Sequence, residues 1–99
     1  MIIINISVEE LIEKSKHEAV NIIDIRDNYL YSLGSIPGSK NIPEQDLLYK
    51  LEYYLDKNNT YYLLCSNGRR SSRLANLLNN MGYKVYNIVG GYKKYLLEK

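Results

Sequence analysis

The sequence lacks tryptophan and phenylalanine, so its 11 tyrosines supply every aromatic ring. We interpret these amphipathic rings as borders of a hydrophobic core and not as a binding signal. The chain also has only one cysteine, Cys65, and one histidine, His17. A lone cysteine excludes a disulfide within the chain. One cysteine and one histidine are also too few for the ligand set of a structural zinc site. The thiol is therefore either inert or functional.

An excess of one charge and long hydrophobic runs are also lacking. Thirteen basic and 11 acidic side chains are interspersed, with a net charge of +2, so we expect neither a nucleic acid nor a membrane as partner. The apolar opening Met1–Ile4 ends at Asn5 and lacks a basic leader, which argues against a signal peptide or a membrane span. We therefore expect a soluble cytoplasmic protein, with residues 1–99 forming one small domain around one core.

Short apolar runs alternate with segments that have helical signals. Ser7 and Glu10 have the spacing of a capping box, and Gly82 follows an apolar helical face where a left-handed residue ends a helix. A further helix is predicted to start at Pro43 and to carry Leu47, Leu48 and Leu51. The predicted strands cover about residues 2–6, 19–25, 40–42, 60–64 and 85–89. This alternation predicts an α/β fold with a mainly parallel sheet of about five strands and helices on both faces.

Cys65 follows the apolar run Thr60–Leu64 and precedes a short loop that contains Gly68. A helix is predicted to begin near Ser71. In open α/β sheets, ligands bind beyond the carboxyl ends of the strands, where Cys65 is expected. Loop N–H groups and the helix dipole would stabilise negative charge there, so the pattern predicts a thiolate nucleophile. Gly68 would let the backbone approach closely or adopt a positive φ.

The neighbouring side chains fit an anionic substrate. The guanidinium groups of Arg69 and Arg70 would add donors for an oxyanion such as thiosulfate or a sulfonate. Ser71 is predicted first as a helix N-cap and second as a contact to the bound anion. The alternative interpretation is that Cys65 is a small buried hydrophobe and that both arginines are surface charges.

Four segments of the sequence resemble those of a known family. Residues 65–71, Cys-Ser-Asn-Gly-Arg-Arg-Ser, resemble the C-x-x-G-x-R-S active-site loop of single-domain rhodanese sulfurtransferases. Residues 24–26 resemble that family's D-x-R segment, residues 34–43 its G-H-I-P-G-A-x-N-I-P stretch, and residues 90–95 its G-G-x-x-x-W ending. In order and spacing the matches cover nearly the whole chain. The departures are Ser35 for histidine, Leu30 for an acid and Tyr95 for tryptophan, all outside the Cys65 loop.

The resemblance implies a rhodanese-like fold and a sulfurtransferase without metal or organic cofactor. Cys65 would carry sulfane sulfur as a persulfide, taken from a donor such as thiosulfate and passed to cyanide, a thiol or the thiol of a partner protein. The loop that binds the substrate anion would comprise Ser66, Asn67, Gly68, Arg69, Arg70 and Ser71. Asp24 and Arg26 would brace this loop by hydrogen bonds, or would form only a local ion pair or cap. We expect a monomer or a weak dimer.

Other functions remain open. A persulfide relay protein would use the same chemistry and differ only in its acceptor, and some rhodanese-like domains are non-catalytic binding modules that have lost the cysteine. Cysteine phosphatases and arsenate reductases also place a thiolate in an anion loop. Phosphatase loops resemble C-x5-R, however, whereas Cys65 to Arg70 is C-x4-R. His17 is expected on the surface, because it lies in the first helix near two lysines.

Overall fold

Strands and helices alternate along the chain in a computed structural model that describes residues 4–99. The strands are β1 (Asn5–Ile6), β2 (Asn21–Asp24), β3 (Lys40–Asn41), β4 (Thr60–Leu64) and β5 (Lys84–Ile88). The helices are α1 (Val8–Ser15), α2 (Asn28–Leu33), α3 (Glu44–Tyr49), α4 (Leu51–Tyr54), α5 (Arg69–Asn80) and α6 (Gly91–Glu98). The part of the predicted first strand before residue 4 lies outside the described residues.

The five strands form one sheet in the order β1-β5-β4-β2-β3, and every pairing is parallel. The central strand β4 lies between β2 and β5, so that Leu63 pairs with Ile23 on one side and Asn87 on the other. Parallel neighbours require crossover connections, and the helices between the strands supply them. The predicted α/β fold with a five-stranded parallel sheet is therefore confirmed.

Helices cover both faces of the sheet. Successive residues of β4 point to opposite faces, so its side chains are divided between two buried clusters. Tyr61, Leu63 and Cys65 belong to one buried cluster, together with residues of α3 and α5. Tyr62 and Leu64 belong to the other, together with residues of α1 and tyrosines of α6. A strand buried on both faces reads as a continuous apolar run, as residues 61–64 do. The same alternation places Cys65 at the end of the α3 and α5 side.

Two local predictions of helix ends are confirmed. Ser7 and Glu10 form the capping box, with both reciprocal hydrogen bonds at 3.0 Å. Gly82 has a φ of 98°, which is the left-handed conformation expected after α5, and its N–H donates to the carbonyl of Asn79. Asp27 stands at the N-cap of α2, but its side chain makes no capping hydrogen bond.

The helix predicted from Pro43 is interrupted. Lys50 departs from helical geometry, with φ −138° and ψ 56°, and separates α3 from α4. This turn changes the direction of the chain, so that both Leu47 and Leu55 are buried in the cluster that contains Cys65. The prediction of one continuous helix was wrong because burial of these side chains outweighs helical continuity.

Across residues 4–99, none of the helices has both the length and the apolar character needed to cross a membrane.

Candidate active site

The candidate site is built around the sulfur of Cys65, immediately after β4. The side chain is almost entirely buried, with 1% relative exposure. Its Sγ accepts hydrogen bonds from the backbone N–H of Gly68 at 3.1 Å and from that of Ser71 at 3.4 Å. The hydroxyl of Ser71 lies 3.2 Å from the same sulfur. Loop and helix donors therefore converge on one atom, as the sequence predicted for a stabilised thiolate.

Gly68 determines how the loop turns back over the sulfur. Its φ of 89° lies in the left-handed region that glycine adopts most easily, and it stands at the N-cap of α5. A Cβ at this position would lie 2.8 Å from the backbone nitrogen of Gly90. Both the conformation and the close approach therefore require glycine here.

Ser71 does not occupy its predicted position. Because α5 begins at Arg69, Ser71 is the third residue of the helix and not its N-cap. This earlier start turns the fully buried side chain toward the core, where the hydroxyl donates to Asn87 Oδ1 at 2.6 Å and also contacts Cys65. The N-cap prediction was wrong, because the left-handed turn at Gly68 starts the helix before Ser71.

Burial and hydrogen bonds have opposite effects on the pKa of the Cys65 thiol, and the combined effect of the hydrogen bonds is the larger. Burial raises the pKa of the Cys65 thiol, since the charged form loses contact with water. The Ser71 hydroxyl and the backbone N–H groups of Ser71, Gly68 and Asn67 lower this pKa, and together they place it below the ordinary thiol value. A thiolate is the nucleophilic form of cysteine, so the site favours the reactive state.

The two arginines of the loop have different environments. Arg70 forms an ion pair with Glu44 at the start of α3, with both its Nε and Nη2 at 2.9 Å from Oε1. Arg69 is exposed, and its backbone N–H donates to Asn67 Oδ1 at 3.0 Å. The Asn67 side chain therefore stabilises the loop itself. Glu44 was not predicted, because the pair joins residues far apart in the sequence.

Asp24 and Arg26 form a buried ion pair at the end of β2. The closest contact is 2.7 Å, between Arg26 Nη2 and Asp24 Oδ2, and Nη2 also donates to the carbonyl of Gly34. Within the described residues, neither side chain has a hydrogen bond to the Cys65 loop. The prediction that they brace the loop by hydrogen bonds was therefore wrong, and the structure shows the alternative, a local ion pair. The guanidinium lies 4.3 Å from the ring centroid of Tyr92, whose N–H donates to the carbonyl of Cys65 at 2.9 Å. The contact with the loop is thus indirect.

The start of α6 holds the loop from the other side. The N–H of Lys93 donates to the carbonyl of Ser66 at 3.0 Å, beside the bond from Tyr92 to Cys65. Gly91 has a φ of 62°, and a Cβ there would collide with the carbonyl oxygen of Cys65. The resemblance included this glycine pair, but its packing against the Cys65 loop could not be read from the sequence.

Asn87 is the buried polar residue near the site that the sequence analysis missed. It belongs to β5, is 4% exposed, and links Ser71 to Asn5 of β1. A polar residue inside an apolar strand was the only available signal.

His17 lies on the surface as expected, with Nε2 at 2.9 Å from a carboxylate oxygen of Glu13.

Comparisons with known proteins agree with this fold. Residues 7–98 match the model of the rhodanese-like domain. The chain is 34% identical to "Putative sulfur carrier protein YrkF" of Bacillus subtilis over 89% of its own length, but it spans only about half of that relative, 48%. It is 35% identical to "Putative sulfurtransferase YtwF" of the same organism, covering 75% of this chain and 71% of the relative.

Among solved structures, a rhodanese-like domain protein from Staphylococcus aureus superposes with a TM-score of 0.86 at 30% identity. The alignment covers 94% of this chain and 91% of the other. The sequence match therefore agrees with the overall architecture. The chain belongs to the rhodanese-like domain family.

Proposed function

We propose that this protein is a sulfurtransferase that carries sulfane sulfur on Cys65 as a persulfide. The observation that supports it best is the buried Cys65 Sγ, which accepts hydrogen bonds from the backbone N–H groups of Gly68 and Ser71. Such an arrangement favours a thiolate without a neighbouring base. The family membership supplies the reaction class, and the donor and acceptor are part of the proposal.

In the first half-reaction the Cys65 thiolate attacks the outer sulfur of thiosulfate. A bond forms between Sγ and that sulfur, the sulfur–sulfur bond of thiosulfate breaks, and sulfite leaves with the bonding electron pair. The exposed guanidinium of Arg69 and the half-exposed guanidinium of Arg70 supply positive charge for the anionic donor. The product is the Cys65 persulfide.

In the second half-reaction a nucleophile attacks the outer sulfur of the persulfide. Cyanide yields thiocyanate, and a thiolate yields a new persulfide. The Cys65 sulfur leaves as a thiolate with the electron pair of the broken bond. Hydrogen bonds to Sγ stabilise this leaving group as well as the attacking thiolate, so the same donors serve both half-reactions.

A second candidate function is relay of the persulfide sulfur to a thiol on a partner protein. It is supported by the relative whose name describes a sulfur carrier. The loading step is the same in both candidates, and only the acceptor differs. The phosphatase and arsenate reductase alternatives have less support, because the loop from Cys65 to Arg70 is one residue shorter than C-x5-R and Arg70 pairs with Glu44.

Loading with thiosulfate tests the proposal directly. We expect the intact protein to gain the mass of one sulfur atom and to lose it again when cyanide or a thiol is added. Cys65→Ser should gain nothing. Ser72→Ala is the control, since Ser72 lies in the first turn of α5 beside Ser71 but has no hydrogen bond to Sγ among the described residues, and it should load like the wild type. Absence of any mass gain with thiosulfate, polysulfide and mercaptopyruvate would contradict the sulfurtransferase function.

A further inference from the structure

A continuous hydrogen-bonded chain of side chains leads from Cys65 across the sheet to its edge. Cys65 Sγ lies 3.2 Å from Ser71 Oγ, which lies 2.6 Å from Asn87 Oδ1. Asn87 Nδ2 in turn lies 3.1 Å from Asn5 Oδ1. The parallel register places Asn5 and Asn87 directly beside each other, so their side chains share one face of the sheet.

The Ser71 hydroxyl has a single hydrogen but two neighbours that can accept it. When Cys65 is a thiol, its S–H donates to Ser71 Oγ and the hydroxyl donates to Asn87 Oδ1, so that every group is satisfied. When the thiol loses its proton to solvent, Sγ becomes an acceptor only. The hydroxyl must then turn from Asn87 to the sulfur, and this leaves a buried amide oxygen without its donor.

Rotation of the Asn87 amide by half a turn resolves this conflict. Nδ2 then donates to Ser71 Oγ, the hydroxyl donates to the thiolate, and Oδ1 faces Asn5. Because Asn5 is exposed, its own amide can rotate and donate to Asn87. The whole chain of hydrogen bonds can therefore reverse its direction without leaving a buried group unpaired.

We propose that Asn87 is a positioning residue whose amide orientation determines whether the Ser71 hydroxyl donates to Asn87 or to the Cys65 sulfur. Its relevance to catalysis rests on the proposed sulfur transfer, because Cys65 would alternate between thiolate and persulfide in each cycle. The hydrogen-bond reversal itself depends only on ionisation of Cys65. The two proposals can therefore fail separately.

Several charged side chains lie on the elements that surround Cys65. They are Glu44 on α3, Arg69 and Arg70 on α5, Asp24 at the end of β2, Arg26 just after β2, and Lys93 on α6. Two ion pairs account for four of these side chains, and among residues 4–99 no charged side chain is hydrogen-bonded to Sγ. The Ser71 hydroxyl is therefore the side-chain donor through which Asn87 can act.

Wild-type protein labelled with 15N provides the first test. The side-chain amide resonances of Asn87 should shift with pH, with the same midpoint as the rate of Cys65 alkylation. The resonances of Asn79 should not shift at this midpoint. The Asn79 amide is hydrogen-bonded to Ala75 and Val85 and does not belong to the row of hydrogen bonds from Cys65 to Asn5. The Asn87 shift should disappear in Cys65→Ser, where no thiol titrates.

The pH profile of alkylation by iodoacetamide provides the second test. Asn87→Leu should raise the midpoint by about one pH unit, a tenfold loss of thiolate below the midpoint. The reason is that leucine cannot donate to the Ser71 hydroxyl when that hydroxyl donates to the thiolate. Ser71→Ala should raise it by at least as much. In the double variant the midpoint should match that of Ser71→Ala alone, because Asn87 acts through Ser71. Asn79→Leu removes another amide that joins α5 to β5 and should leave the midpoint unchanged.

Three outcomes would overturn the proposal: constant Asn87 amide resonances while Cys65 titrates, the same resonance shift in Cys65→Ser, or additive effects of the two substitutions. Should Asn87→Leu fail to fold, the measurement on the wild type still decides. Neither measurement requires a sulfur donor, so both stand even if thiosulfate does not load the protein.

Discussion

At the scale of single residues, the reactivity of Cys65 depends on competition between burial and hydrogen bonding. A buried thiol with no donors would have a raised pKa and would act as a small hydrophobe. Here burial still raises the pKa, but the Ser71 hydroxyl and the N–H groups of Ser71, Gly68 and Asn67 together lower it by more. Burial and nucleophilicity are therefore compatible at this position.

A residue-scale prediction concerns the ion pair between Arg70 and Glu44. Because Glu44 neutralises part of the Arg70 charge, Glu44→Gln should strengthen binding of an anionic donor. Partly exposed ion pairs contribute up to about 1 kcal/mol, so the thiosulfate concentration for half-maximal loading should fall by up to about fivefold. Loading is measured by intact-protein mass spectrometry across a thiosulfate series.

Two controls separate binding of the donor from reactivity of the thiol. Alkylation by neutral iodoacetamide should change less than loading, because it involves no anion. Glu52→Gln removes an exposed carboxylate on α4 and should leave loading unchanged. A rise in the thiosulfate requirement, or an equal effect at Glu52, would show that the Arg70 charge does not serve the donor.

At the scale of secondary structure elements, the site depends on the contact between the Cys65 loop and the start of α6. Tyr92 and Lys93 donate their N–H groups to the carbonyls of Cys65 and Ser66. Gly91 lies so close to Cys65 that no side chain fits between them. The helix is therefore part of the site although none of its side chains has a hydrogen bond to the sulfur in the described structure.

An element-scale prediction is that Gly91→Ala damages both stability and sulfur loading. A left-handed φ costs a non-glycine residue roughly 1–2 kcal/mol, and the collision with the Cys65 carbonyl adds to this cost. We expect a loss of more than about 2 kcal/mol in the free energy of unfolding, measured by urea denaturation.

Gly38→Ala is the matched control for this substitution. Gly38 has a φ of 85° but no heavy atom within 4 Å of its would-be Cβ. It should therefore show only the conformational cost of about 1–2 kcal/mol and should load sulfur normally. Equal losses at both glycines would mean that the contact between α6 and the loop contributes nothing beyond backbone strain.

At the scale of the whole molecule, the five-stranded sheet couples the chemistry of Cys65 to folding. Since the pKa of the thiol is lower in the folded than in the unfolded state, the unfolded chain binds more protons between the two values. Stability should therefore rise with pH across this window, be complete above the unfolded value of about 8.5, and be lost as pH falls through the folded value.

This whole-molecule prediction is tested by comparing wild type with Cys65→Ala. The difference in their free energies of unfolding, measured by urea denaturation at a series of pH values, should shift in favour of the wild type as pH rises. Titrations common to both proteins cancel in the difference. A flat or falling difference would show that the folded protein does not favour the thiolate.

Much of this architecture could be predicted from local patterns in the sequence. Alternating apolar runs and helical segments predicted the parallel sheet, because each pattern reports on the surroundings of its own residues. The position of Cys65 after β4 and the turn at Gly68 were also predicted. The break at Lys50 and the helix start at Arg69 were not, because tertiary packing and a left-handed turn decided them.

The sequence by itself determined the place of the single cysteine after a buried strand, its loop and the class of fold, since these depend on residues adjacent in the chain. Only the tertiary structure decided which side chains meet around the sulfur. Arg70 pairs with Glu44 across 26 positions, and Asn87 reaches Asn5 across 82. The physical reason is that parallel strands and their crossovers bring distant residues into register, so such contacts leave no local pattern in the sequence.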